Sequence, residues 1–432
     1  MEPFGEGGRL ASMLVRTRGN RTRRLVQLLV PTVAVCALVG ACSSDTDTNA
    51  SGDSTTSTAA DGSTTAPPAT EPAVKTIPGM PPVVDPNNVY SETTPEDLSP
   101  AVADAKQYVY VPHNENGQVW VIDQNTYEVV GKYDVGNLVQ HVVPSHDLKT
   151  LYANASGSNQ LVPFDPATGK PGTPVDVDAP YNLYFTPDGK AAMVMAERLD
   201  RIDFYNATTW EKTGSTPVPC TARPGSISGG VNHADWSADG SYFIATCEFS
   251  GQLLKVDTVS GQVQGILDLG SMSMPQDCRV LPDGKTFYVA DMMDGGVHVI
   301  DGPSFTKTGF IETGDGAHGI YPSRDATVAY VSNRGNTGMD RPGGGTVSVV
   351  DFATNKVVDT WTVPGGGSPD MGGVSTDGTK LWLSGRYDNV VYVFDTTNGE
   401  LVKKIPVGAG PHGLAVFPQP GRYSLGHTGN YR

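Results

Sequence analysis

"PQDCRVLPDGKTFYVADMMDGGVHVIDGPS", Pro275 to Ser304, holds the repeating unit of this chain in one stretch. Two apolar runs, "CRVL" and "KTFYVA", flank Pro-Asp-Gly, and a third, "GVHVID", ends on an aspartate and another turn. Proline presets φ, aspartate caps a turn through its side chain, and glycine accepts the left-handed position, so both punctuation marks read as hairpin turns. The runs between them alternate at period 2, as strands do, and nothing in the stretch has helical spacing.

Working outward, the same two marks recur every 41 to 52 residues. The first opens with Asp or Asn, at Asp123, Asp165, Asn206, Asp257, Asp301, Asp351 and Asp395. The second is out of phase with it: "VPSHD", "TPDG", "SADG", "LPDG", "PSRD", "STDG" and "FPQPG". Each period therefore carries four short strands, A to D, and seven periods predict an all-β, seven-bladed β-propeller of four-stranded blades over residues 101–432. The chain supplies strands B, C and D first ("YVYVPHNENGQVWVID") and an A strand last ("HGLAVFP"), so N- and C-terminal strands are expected to share the closing blade. Such closure leaves no open sheet edge.

These units resemble the YVTN-type, YncE-like propeller repeat, whose Pro-His-Gly-x-Ala-Val-Ser-Pro-Asp-Gly pattern is matched by "GPHGLAVFP" and the Pro275–Ser304 unit. The resemblance covers about residues 107–432 and is more distant to the haem d1 domain of cytochrome cd1 nitrite reductase and to propeller lactonases. It implies the fold and says little of activity, since propellers host many functions.

In a propeller the A strands line the central channel. Counting back from each turn puts Gln140, Tyr181, Asn232, Gln276, His318, Asp370 and His412 at one equivalent A-strand step, hence in a ring. Asn114, Ser156, Glu197, Glu248, Met292, Arg334 and Arg386 follow the B strands and form a second ring on the face that carries the irregular loops. Glu197 and Glu248 fall on neighbouring blades, Arg334 and Arg386 on two others, with Asp291 one residue before its ring. The candidate ligand-binding set is His113, Asn114, Glu197, Glu248, Asp291, His318, Arg334, Asp370, Arg386 and His412. Guanidiniums suit a ligand carboxylate or phosphate, and the acids an amine or cation.

The expected function is therefore binding of a small ligand or partner protein at this face, without turnover. The alternative is an enzyme at the same mouth, either a lactonase-like hydrolase with Glu and His as acid and base, or a redox protein holding haem d1 or copper. Met272, Met274, Met292 and Met293 beside the cysteines would suit copper. His141, His233, His318 and His412 fall at the start of A strands, where converging imidazoles could ligate a metal or act as acid and base, the account preferred being that they hydrogen-bond neighbouring blades. No Cys-x-x-Cys-His, His-Glu-x-x-His, Gly-x-Ser-x-Gly or P-loop pattern occurs, so no cofactor is assigned and the metal content stays open. Among Cys220, Cys247 and Cys278 a disulfide is expected, with one thiol left over and no spacing to choose the pair.

The first 41 residues carry six arginines and an apolar run from Leu25 to Ala41 ending in "VGAC". That pattern resembles a lipoprotein signal peptide with Cys42 as the lipidated residue, followed by a Ser/Thr/Pro-rich tether over residues 42–100. The expectation is a monomer anchored by lipid on the outer face of the bacterial cytoplasmic membrane. Beyond Ala41 the formal charge is -20, which argues against nucleic acid or anionic lipid as a bulk electrostatic partner. The last fourteen residues, "RYSLGHTGNYR" among them, are unlike a repeat unit; they are expected to cross a face of the disc as a clasp, the other reading being a cover over one channel end.

Overall fold

The computed structural model describes residues 74–335, 344–427 and 429–432. The leader, Cys42, most of the tether and residues 336–343 of the Ser332 to Thr346 insertion lie outside the described residues. Seven antiparallel sheets follow one another, each with an inner, A strand: Ala415–Phe417, Val139–Pro144, Asn182–Phe185, Val231–Trp236, Pro275–Val280, Ala317–Pro322 and Pro369–Val374. The strand Tyr108–His113 pairs with Ala415–Phe417, so the first blade takes its inner strand from the other end of the chain.

The turns form for the reasons their residues suggest. The Asp123 carboxylate accepts from the backbone N–H groups of Asn125 and Thr126, and the same side-chain cap is made by Asp165, Asn206, Asp257, Asp301, Asp351 and Asp395. At the other turn a Ser or Thr hydroxyl donates to the Asp two residues on, as Thr186 does to Asp188 (2.7 Å) and Ser237 to Asp239 (2.7 Å). Between blades the apolar faces interlock. Trp236, buried, sits between Tyr184 (ring centroids 5.7 Å) and Phe243 (5.1 Å) and ties two blades together.

Two expectations change here. The tether was read to reach residue 100, yet Val89, Tyr90 and Thr93 are buried, with the Tyr90 hydroxyl donating to the Val280 carbonyl at 2.6 Å and the Val89 N–H to the Pro282 carbonyl at 2.9 Å. An aromatic ring and a β-branched residue in "NNVYS" supply the apolar area that the surrounding Ser/Thr/Pro composition lacks. The segment from Ile77, whose N–H donates to the Asp239 carbonyl at 3.1 Å, accordingly packs on the propeller.

The C-terminal tail, for its part, does not cross a face. It turns into the channel and runs along the inner strand Asn182–Phe185, with the Phe185 N–H donating to the Leu425 carbonyl (3.0 Å) and the His427 N–H to the Leu183 carbonyl (3.2 Å). Tyr423, Ser424, Leu425, His427, Asn430, Tyr431 and Arg432 are all buried. Polar partners inside the channel make that burial possible: Arg432 pairs with Asp235 at 2.6 Å, and Asn430 Nδ2 donates to the Ala234 carbonyl at 3.1 Å.

Cys220 and Cys247 form the disulfide, and Cys278 is the buried thiol left over. The bond closes a 27-residue separation, for which loop-closure entropy gives a stabilisation of about 3 kcal/mol. Reduction should therefore lower the melting temperature by several degrees, and a thiol reagent should reach Cys278 only after unfolding. Labelling of folded, unreduced protein would contradict this assignment.

Candidate functional site

The inner strands hold more than one inward ring. In five of them the pairing with the B strand slips at the same place, between Val139/Val142, Val231/Ala234, Pro275/Cys278, Ala317/Ile320 and Pro369/Gly372. A bulge of this kind re-aims side chains that strict alternation would send to opposite faces. So His141, His233 and Asp277 turn inward, and with Asn182, whose strand pairs without a slip, they stack as a second, buried ring beneath Gln140, Tyr181, Asn232 and Gln276. The glycine of each His-Gly phrase serves this crowding: a Cβ on Gly413 would collide with the His141 ring, and one on Gly319 with the Tyr321 hydroxyl.

At the loop-bearing end, Asp370 is the hub. Its Oδ1 accepts from Arg334 Nε (2.7 Å), with His318 Nδ1 at 3.1 Å, and its Oδ2 lies 2.7 Å from His412 Nδ1. With Nδ1 so engaged, His412 Nε2 is the acceptor for the Tyr181 hydroxyl, 3.4 Å away. Burial opposes charge on Asp370, but Arg334, His318 and Arg386 outweigh it and hold its pKa below the ordinary value. Burial also drives His318 and His412 well below the usual imidazole range, helped by Arg334 at His318 and by Arg386 and Arg334 at His412, so both rings are neutral at pH 7.

Beside this hub stand the two ring glutamates. Glu248 Oε2 accepts from Asn232 Nδ2 at 2.8 Å, and burial raises its pKa against the pull of Gln276, Arg334, Arg386 and Asn232. Glu197 is pushed up to about 8, first by burial and then by the neighbouring Glu248 and Asp200 charges, with Arg198 and Arg386 opposing. Arg386 completes the mouth, and its Nη1 is buried without a hydrogen-bond partner. The mouth thus presents one unanswered guanidinium nitrogen and, on another blade but electrostatically coupled to it, a carboxyl that keeps its proton near neutrality.

Glu197 has a testable consequence for stability. Its folded pKa lies above the ordinary 4.5, so the native state binds the proton more tightly than the unfolded chain. The associated stability is present below pH 4.5 and is lost as pH rises towards about 8. Glu197→Gln should melt above wild type at pH 8 and level with it near pH 4.5; identical pH profiles would refute the shift.

The remaining expected residues divide. His318, Asp370, Arg334 and His412 meet directly, and Glu197, Glu248 and Arg386 are coupled to them electrostatically. His113 does not join them: it is fully buried, packs at a tilt against Trp120 (ring centroids 5.3 Å), accepts from the Gly408 N–H at 3.0 Å and approaches the Gln118 carbonyl at 3.3 Å. Asn114 lies against the backbone of Gly410. Asp291 is taken up by its own loop, accepting from the N–H groups of Met274, Met293 and Asp294 and from Ser273, with His298 at 3.1 Å. The sulfur set considered for copper is dispersed, because Cys220 and Cys247 are bonded to each other, Met292 Sδ lies 3.3 Å from Arg334 Nη1, and Met272 and Met293 are exposed.

Sequence reasoning missed His427, which the tail carries into the second ring. Its Nδ1 lies 3.0 Å from Asn182 Nδ2 and its Nε2 3.4 Å from Asp277 Oδ1. The signal that could have found it is the run of polar residues in a tail too short to fold alone.

Among the described residues several cavities lie away from the mouth. One of about 30 Å³, lined by Tyr90, Tyr321, Arg324 and Tyr431, holds no more than water, and a groove of about 470 Å³ runs between Ile77, Lys190, Phe204 and Val259.

Comparison with known proteins fits this architecture. No curated protein matches the chain. Among solved structures, hydrazine synthase of Kuenenia stuttgartiensis is 17% identical at a TM-score of 0.53, covering 63% of this chain and 87% of that one. The dihydro-haem d1 dehydrogenase NirN is 15% identical with a TM-score of 0.53, covering 71% of this chain and 74% of that one. A provisionally assigned 6-phosphogluconolactonase from Bacteroides fragilis is 16% identical with a TM-score of 0.57, covering 73% and 99%. Likenesses this distant establish the fold and nothing of the chemistry. The family model for YNCE-like beta-propellers matches residues 73–422, nearly the whole of the described domain, and the chain belongs to that family.

Proposed function

We propose that the loop-bearing mouth binds a small polar ligand through a carboxylate or phosphate group, without turnover, and that lipid on Cys42 displays the propeller on the outer face of the bacterial cytoplasmic membrane. The observation that carries the binding reading is Arg386 Nη1, a charged donor buried with no acceptor. A buried donor left unmade costs about 1–3 kcal/mol, and a ligand oxyanion removes that cost. The protonated Glu197, electrostatically coupled to it, donates to the same ligand or to a neighbouring hydroxyl. Location outside the cytoplasm is supported by the Cys220–Cys247 disulfide, since such bonds persist in oxidising compartments. No helix among the described residues is long and apolar enough to cross a membrane.

The test is to recover the full chain from membranes of a lipoprotein-processing bacterium, unfold it, and identify released small molecules by mass spectrometry. A stoichiometric carboxylate or phosphate compound, absent from an Arg386→Gln preparation, is the expected result. Its equal recovery from the variant would remove Arg386 from the site.

A second reading rests on a separate observation, the chain Asp370, His412, Tyr181 beside a carboxylic acid that titrates near 8. That is an acid and a polarised hydroxyl of the kind a lactone hydrolase needs. Glu197→Gln separates the two readings: it abolishes turnover in an enzyme and leaves a binding protein able to bind.

A further inference from the structure

From the mouth downward the channel contains an imidazole cluster, of which the binding proposal leaves His141, His233 and His427 unused. Five of the chain's eight histidines meet there: His141 lies 4.9 Å from His412, 5.0 Å from His427 and 5.6 Å from His233 between ring centroids, and His318 lies 6.2 Å from His233. All are shut from solvent. His233, His427 and Asp277 each offer a ligand atom, all within 4.8 Å of one another.

Hydrogen bonding does not account for this cluster. Both ring nitrogens of His141 are buried without a partner, as is Nε2 of His233. The nearest donor is Asn182 Nδ2, which lies 3.0 Å from His427 Nδ1, 3.3 Å from His233 Nδ1, 3.2 Å from the Asn232 carbonyl and 3.3 Å from the Tyr184 hydroxyl. Each neutral imidazole carries one N–H and one lone pair, so His141, with neither nitrogen partnered, leaves a buried lone pair unmet, and a cation is what converging lone pairs accommodate.

We propose that the channel binds one divalent transition-metal ion, zinc in the first instance, through His233, His427 and Asp277 with His141 as fourth ligand. Three imidazoles and one carboxylate, with no thiolate and no route for water, suit a closed tetrahedral site. At ligand bonds of about 2.0–2.1 Å a tetrahedral site has ligand–ligand edges of about 3.4 Å, so an ion would draw together the His233, His427 and Asp277 atoms that now lie within 4.8 Å of one another. Arg279, 3.0 Å from the other oxygen of Asp277, and the Ile320 N–H, also 3.0 Å away, hold that carboxylate in place. Because His427 comes from the tail, the metal pins the plug inside the channel and links it to three blades.

The experiment uses the full chain purified without chelator. Elemental analysis is expected to give one zinc per chain; after stripping with dipicolinate, titration with zinc alone should restore it and raise the melting temperature. Zinc-edge absorption spectroscopy should show imidazole scattering at about 2.0–2.1 Å. His427→Asn and His141→Asn should each weaken zinc by about 100-fold or more, the upper end of losses caused by even indirect ligand contacts. Arg386→Gln should leave zinc unchanged, so the mouth and the channel site fail or stand separately. If a histidine variant does not fold, the absorption spectrum of wild type decides. Folded protein that takes up no zinc, a spectrum without imidazole, or unchanged affinity in both histidine variants overturns the proposal.

Discussion

Arg432→Ala should lower the melting temperature by roughly 10 °C, although it alters only the last residue of the chain. The Arg432 side chain is almost wholly buried and pairs with the fully buried Asp235 at 2.6 Å, while its guanidinium lies 5.3 Å from the centre of the Tyr90 ring. Removing one partner of a buried pair costs about 3–5 kcal/mol because the other charge is left without compensation. At about 2–4 °C per kcal/mol for a large domain this amounts to the stated shift. Arg422→Ala is the control. Arg422 is exposed; its side chain donates to the Pro82 carbonyl at 3.1 Å and lies 5.7 Å from the centre of the Tyr423 ring, and alanine keeps its backbone N–H bond to Arg432, so its loss should move the melting point by no more than about 2 °C. A surface clasp would make the two variants alike, and equal shifts would contradict the plugged channel. Adding Asp235→Asn to Arg432→Ala should recover part of the loss.

The second large effect is at the mouth. Arg386→Gln should weaken binding of the oxyanion ligand by about 10- to 150-fold, the range expected when a hydrogen bond to a charged group worth about 1.5–3 kcal/mol is lost. Glutamine keeps a donor but not the charge, so the loss measures charge complementarity rather than shape. Arg334→Gln tests a different contact, because Arg334 is already committed to Asp370 through Nε and Nη2, each at 2.7 Å. Its loss strips the counter-charge from a buried carboxylate that also positions His318 and His412. That variant should cost stability as well as affinity, whereas Arg386→Gln should melt like wild type. Calorimetric titration beside a melting curve separates the two.

How much of this was legible in the sequence depends on what holds each part. The blades were, because period-2 alternation and the Asp-capped turns are local and act within six residues: the seven turns in "DQNTYE" and its relatives all form as their residues suggest. The step of His318, Asp370 and His412 was legible by counting, and these three do meet. That His141 and His233 converge on the channel was legible from their place at the start of A strands, but their stacking as a second ring was not, because it depends on a bulge that leaves no residue signature at Gln140-His141 or Asn232-His233. Nor was the plug. Arg432, Asn430 and His427 are polar residues that composition assigns to solvent, and they are buried only because Asp235, Arg279 and Asp277 wait inside the channel. Tyr90 escaped for a similar reason, one ring diluted in a long polar segment.

The measurement that tests the account most directly is a crystal structure of the protein purified from its own cells with the ligand it carries. The account predicts density at the loop-bearing mouth with an oxyanion within hydrogen-bond distance of Arg386 Nη1 and a second polar group facing Glu197. A mouth closed by protein atoms that satisfy Arg386, with the ligand bound elsewhere or none retained, would contradict it.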